Sequence, residues 1–362
     1  MSVPGMRAGL LRIAWRLCLL LGTVSNRAGG DEPAPRWGDR TLGGRTFIAG
    51  TSGQSAFLTT HAGIRQGIFV YTVPSFPVAG LEPVDVRVAG LVEEIDVGVK
   101  VADVLGLFAS AEGRAISGID APSIVIGGAT TRIGGRFGLA FRVFRHKRTA
   151  TQLSLRSSLG YALGWDLDVR RLIGQVLDDA RESPPQSPDE LEQRIRDLLR
   201  SDALRVALTP SRELSYIGAL TLAQALGPVF GIQVAIGHEQ RRLRAERYRL
   251  DTREVEVASE RGRVLFAAIS AEADLEPAGV PIAFQLEYLP SEEWNDAGQG
   301  FLAQPSKHTV TAGLYYSGRR NLQLGVLAAT TRNLKPVQGL DGERRSGRPH
   351  LMFGELSMRY VW

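Results

Sequence analysis

Apolar residues return at every second position in stretch after stretch of this chain, and that period constrains its fold more than any other feature. Successive side chains of a strand point to opposite faces, so a period of two marks strands with one apolar and one polar face. The clearest pair flanks a short basic turn. Before it, Phe137, Leu139, Phe141 and Val143 alternate with Gly138, Ala140 and Arg142. After it, Leu153, Leu155, Leu159, Tyr161, Leu163 and Trp165 alternate with Gln152, Ser154, Arg156, Ser158 and Gly160. The pattern repeats at Ile95–Leu107, Phe230–Ile236, Leu265–Ala271, Ile282–Tyr288, Val310–Tyr316 and Leu322–Val326. Runs of this kind approach the roughly ten residues with which a tilted barrel strand crosses a bilayer.

The last strand of the sequence carries the same signature. Leu356, Met358, Tyr360 and Trp362 alternate with Glu355, Ser357, Arg359 and Val361. It resembles the closing strand of bacterial outer-membrane β-barrels of the porin-like class, in which a terminal aromatic residue is part of the signal read by the assembly machinery. Tyr360 and Trp362 would supply that signal here. The resemblance implies an all-β fold, a transmembrane antiparallel up-and-down β-barrel of about 12–14 strands. A soluble sandwich or a lipocalin-like barrel would alternate too. Two features favour the membrane barrel. The second face is small and polar, as a wet lumen requires, and aromatics gather near strand ends as an interfacial girdle would: Tyr161 with Trp165, Tyr288, Tyr315 with Tyr316, and Tyr360 with Trp362. The connections alternate as well. Arg145–Ala150, Ala225–Pro228, Glu276–Gly279 and Ser317–Arg320 are tight, whereas 239–262, 291–304 and 332–348 read as long outer loops.

Composition narrows the class. No run of about 18 apolar residues occurs, which excludes a helical membrane protein but says nothing against a barrel. Residues 1–29 read as a signal peptide with Arg7, Arg12 and Arg16 ahead of or within a short apolar stretch, and 30–45 as an N-terminal extension. The barrel is expected over 46–362. Within it, 166–203 departs from the period of two. Val169, Leu172, Ile173, Val176 and Leu177 recur at helical spacing, and Ser187-Pro188-Asp189-Glu190 reads as a capping box, which predicts a two-helix insertion. Cys18, the single cysteine, lies in the leader, so the mature chain would have neither disulfide nor thiolate site. Loss of residues 1–25 would remove Arg7, Arg12 and Arg16 and lower the net charge from +5 to about +2.

Few residues point to chemistry. His238, His308 and His350 would sit at the outer rim with Glu239 and Ser306 close in sequence, which is too little to assemble a hydrolase. The run Arg241–Arg249 reads as an outer loop whose guanidinium groups meet lipopolysaccharide phosphates; nothing beside it suggests nucleic acid. The pairs Gly127-Gly128 and Gly134-Gly135 lack a phosphate-loop or dinucleotide spacing, so no nucleotide or other cofactor is expected. Lys100, Arg142, Arg156, Glu272, Asp274, Gln285, Glu287, Glu355 and Arg359 are the predicted lumen-lining residues. The sequence thus suggests a channel or transporter for an unspecified small solute; the alternatives are a plugged barrel with a structural or surface-interaction role and, less favoured, an outer-membrane hydrolase, and no enzymatic activity is expected. Its expected partners are the lipid bilayer, lipopolysaccharide and the outer-membrane assembly machinery.

Overall fold

The structure, a computed structural model, describes residues 40–48, 55–77, 82–120, 123–124, 128–167, 208–248, 255–295, 306–319, 321–333, 336 and 345–362. A short hairpin comes first, β1 (Thr41–Leu42) and β2 (Arg45–Thr46). The wall follows: β3 (His61–Phe76), β4 (Val84–Ala102), β5 (Leu105–Gly118), β6 (Ala129–His146), β7 (Thr151–Leu167), β8 (Leu208–Ala225), β9 (Phe230–Tyr248), β10 (Val255–Asp274), β11 (Ile282–Asn295), β12 (Ser306–Tyr316), β13 (Leu322–Asn333) and β14 (His350–Val361). Each wall strand pairs antiparallel with the next, and β14 returns to β3 from Val361↔His61 to His350↔Thr72, closing a twelve-strand barrel. Closure leaves the wall without a free edge, so every strand finds ladder partners on both sides.

Register transmits the period of two around the circumference, because directly opposed residues share a face. Tyr360 faces Ala62, Ala62 faces Val97, Val97 faces Ala109 and Ala109 faces Phe137. This face is the outside. Ile68, Leu91, Ile133, Leu159 and Leu356 are each between 59% and 64% exposed there. The opposite face is buried and polar, with Asp96, Lys100, Gln152, Ser158, Gln233, Glu272, Gln285 and Glu287 all nearly inaccessible. In water this arrangement is inverted, since exposing a large apolar side chain forgoes about 1.5–3 kcal/mol of burial. A hydrocarbon surround removes that penalty.

Several sequence expectations shift. The wall begins at His61 rather than at residue 46, because 40–48 and 55–60 run inside the lumen. The stretch 239–262 is largely not loop: β9 continues to Tyr248 and β10 starts at Val255, so Arg241–Tyr248 are strand residues alternating between the two faces. Tyr315 faces inward and is 3% exposed, while Tyr316 is outside. Asp166 and Leu167 complete β7, and residues 168–203 of the predicted two-helix insertion lie outside the described residues. The tight connections are tight, one of them a single 3-10 turn at Glu276–Ala278.

Candidate functional site

The short-turn end of the lumen is filled by the chain's own N-terminal segment. Its hairpin turns on Gly43 and Gly44, both with positive φ (60° and 80°), the conformation that two-residue hairpin loops demand. A Cβ at Gly43 would come within 2.6 Å of that of Ala150, so glycine also allows the turn to lie against the wall. Leu42, Phe47, Ala56 and Phe57 pack on Ala150, Ala223 and Ala225 as a small core, with Phe47 and Phe57 ring centroids 4.9 Å apart. Ile48 packs with Ala283 and Tyr315.

Polar groups fasten the plug. Arg45 and Glu272 form an ion pair at 3.3 Å with both side chains fully buried, and the Arg45 guanidinium also donates to the Val229 carbonyl. The Ile48 amide donates to Glu272 at 3.0 Å. Gln233 donates to the Ile48 carbonyl at 3.1 Å and to Glu272 at 2.7 Å, and accepts from the Ala56 amide. Gln152 and Ser154 both donate to the Ala56 carbonyl. Arg40 donates to Gln323 at 2.7 Å, and Arg145 to the Thr41 carbonyl at 2.7 Å. A Cβ at Gly231 would strike Arg45 and Phe47, so the wall is hollowed there for its plug.

Where the plug joins the wall, His61 Nε2 lies 2.8 Å from Asp96, and Arg359 donates to the same carboxylate at 2.7 Å. His61 Nδ1 lies 2.8 Å from the Thr59 hydroxyl. These are the member types of a catalytic triad, yet the Arg359 guanidinium occupies the Asp96 oxygen and the cluster sits at the seam of three strands. It acts as a clamp on the junction.

The predicted lumen residues all project from inner-face positions. Glu272 takes the plug's arginine, as described. Asp274 accepts from the Glu276 amide in the 3-10 turn, Gln285 donates to Ser270 at 2.9 Å, and Lys100 pairs with Asp103 at 2.7 Å. Glu287 is buried, and Glu355 projects inward from β14 near Arg65. Arg142 is directly opposed to Ser154 on the inner wall, and the Arg156 guanidinium lies over the Phe108 ring at 4.3 Å. Sequence reasoning missed the plug itself, although Gly43-Gly44 was a readable hairpin signal, and missed Arg65, Asp96 in its clamping role, Arg114 and Arg136. The rim histidines do not converge: His238 and His308 face outward, the latter against the Tyr288 hydroxyl. Among the described residues, no group of three His, Cys, Asp or Glu side chains is placed to hold a metal ion.

Fold and site together define a class: a closed antiparallel barrel, apolar outside and polar inside, with an internal plug. No protein-family model matches the sequence, and no curated protein does. Among solved structures, the translocator domain of the autotransporter NalP from Neisseria meningitidis aligns over 84% of this chain and 89% of its own, at 10% identity and a TM-score of 0.45. The beta domain of the Bordetella autotransporter Brka aligns over 84% and 100% at 9% identity and 0.45, and an outer membrane channel from Pseudomonas putida F1 over 84% and 96% at 11% identity and 0.41. Superpositions this loose leave the function to be read from this chain's own residues.

Proposed function

We propose that the chain is a bacterial outer-membrane barrel that conducts small solutes through a lumen gated at the short-turn end by residues 40–48 and 55–60. The observation that carries this reading is the division of the lumen. One end is closed by a segment that is not part of the wall, and the remainder keeps a polar cavity above it. A barrel that served only as a scaffold would gain most by filling its interior throughout. On this reading the chain is a conduit and not an enzyme, and it needs no cofactor.

The outer surface supports the membrane setting. Beyond the apolar belt, β8–β10 turn five exposed arginines outward: Arg212, Arg242, Arg244, Arg261 and Arg263. Arg212 opposes Arg244 and Arg242 opposes Arg261, like charges in directly facing positions, which destabilise a sheet unless an anion lies between them. Trp294 faces Arg263 at the same level. Lipopolysaccharide phosphates are the anions such a surface would meet at the long-loop end. The aromatic pair Tyr360 and Trp362, with centroids 5.4 Å apart, would mark the other interface and serve the assembly machinery.

Planar-bilayer conductance tests the gate. The full chain is expected to conduct poorly, and a variant lacking residues 40–56 to conduct in large steps. Arg45→Ala, which strands the Glu272 carboxylate at a cost of about 3–5 kcal/mol, should show frequent openings. A heat-dependent shift in gel mobility verifies that each variant is a closed barrel. If the folded deletion variant remains silent, the barrel is a closed structural element and the conduit reading fails.

A further inference from the structure

Between the plug and the long-loop end, the lumen holds a cavity of about 270 Å³. Ser55, Phe57, Leu58 and Thr59 of the plug contribute to its lining, and the inward faces of β14 and β3–β8 supply the rest. Five arginines reach it: Arg65, Arg114, Arg136, Arg156 and Arg359. Three are neutralised by lining carboxylates, Arg65 by Glu94, Arg114 by Glu112 and Arg359 by Asp96. A further carboxylate, Glu355, acts on Arg65 from β14. Arg136 and Arg156 form no ion pair among the described residues, and the buried Nε of Arg136 has no acceptor among them. The nearest partner of Arg156 is the Ser55 carbonyl of the plug, at 3.4 Å.

Asp96 acts on Arg156 only from a distance, and two guanidinium groups without an ion-pair partner in a confined site are an unfavourable arrangement for an empty lumen and a favourable one for a bound anion. We infer that this cavity binds a small organic monoanion, a carboxylate on an apolar body, through Arg136 and Arg156. Three observations select that class. Arg156 lies over the ring of Phe108 at 4.3 Å, which holds its guanidinium against the wall, and the planar fork of an arginine matches a carboxylate. Phe57, Leu58, Phe108, Ala140 and Ile217 line the same space, so the non-ionic part of the ligand meets carbon. The volume lies just below the usual range for ligand pockets, roughly 300–1,000 Å³, which confines the guest to about one ring. The site names the solute class of the proposed conduit and so rests on that reading.

The test is equilibrium binding to the full chain folded in detergent, by titration calorimetry with benzoate, inorganic phosphate and benzyl alcohol as probes. Heat-dependent mobility verifies folding of every variant. Benzoate should bind saturably, with phosphate and benzyl alcohol at least about tenfold weaker, since one lacks the apolar body and the other the charge. Arg136→Gln and Arg156→Gln should each weaken benzoate by about tenfold. Arg156→Lys should recover part of the loss, because it restores the charge without the fork. Absence of saturable benzoate binding to the folded full chain overturns the inference, as does unchanged binding in the double glutamine variant. Tighter binding of phosphate than of benzoate overturns the carboxylate class. Binding is read without current, so a chain that binds benzoate and never conducts refutes the gate and leaves the site standing.

Discussion

At the scale of single residues, the inner wall is shaped by glycines set opposite aromatics. Phe69 faces Gly90, Phe108 faces Gly138, Phe266 faces Gly237 and Tyr315 faces Gly325. In each pair a Cβ on the glycine would come within 2.5 Å of the ring. The rings therefore lie along the wall instead of standing in the lumen, where they would obstruct it. Gly138 matters most, because Phe108 is the platform on which Arg156 lies. Gly138→Ala places a methyl group 2.4 Å from the Phe108 ring and 2.5 Å from the Ser157 carbonyl. The ring or the strand must shift, at about 1–3 kcal/mol. The variant should fold, lower the temperature of the heat-dependent mobility shift and weaken benzoate binding. Unchanged values for both would show that Phe108 does not hold Arg156 in place.

At the scale of elements, β3 and β4 carry an anomaly on an otherwise apolar outer face. Glu93 points outward between Leu91 and Ile95 on its own strand and opposite Gln66, which donates to it at 3.1 Å and is flanked by Ile64 and Ile68. A carboxylate at this level of a lipid-facing surface is destabilising, and one amide donor offsets only part of that. Replacing both partners, Gln66→Val with Glu93→Leu, removes the charge without leaving an orphan. The double variant should shift at higher temperature in gel mobility assays, with a gain on the order of 1–2 kcal/mol. A fall in stability would mean that something other than lipid covers this position. The N-terminal hairpin makes the complementary point about elements. Two strands of two residues have no stability of their own, so β1 and β2 exist because the wall supplies Glu272, Gln233 and Gln323.

At the scale of the whole molecule, the pairing of β8, β9 and β10 gathers the outer arginines into one patch on the barrel surface. Arg242 and Arg261 are 19 residues apart in sequence but directly opposed in the sheet. Added lipopolysaccharide should raise the temperature of the mobility shift of the full chain, with high salt reducing the effect. In the Arg242→Gln, Arg261→Gln variant the shift should begin higher in detergent alone, because like-charge repulsion is gone, and should respond less to lipopolysaccharide. An equal response in both proteins would exclude this patch as the phosphate contact.

The sequence by itself determined the wall. A period of two is a local property of a strand, so Phe137, Leu159 or Tyr360 could be assigned to the outer face and Arg156, Glu272 or Arg359 to the inner face without knowing any strand's neighbours. The tight turns were legible for the same reason. Strand ends were less so: Arg241–Tyr248 read as loop because a charged stretch resembles one, and only pairing with Val255–Gly262 shows it to be sheet. Tyr316 continues the apolar alternation from Val310 and is outside, whereas Tyr315, grouped with it as an interfacial aromatic, is the inward member of the pair. What only the tertiary structure decided is what the inner face does. Glu272 is fastened to a plug from 227 residues earlier in the chain, whereas Arg156 looks into a cavity. Arg114 has its carboxylate, Glu112, on its own strand, but Arg65 meets Glu94 only through the register of β3 on β4, and Arg359 reaches Asp96 two strands away only because β14 closes on β3.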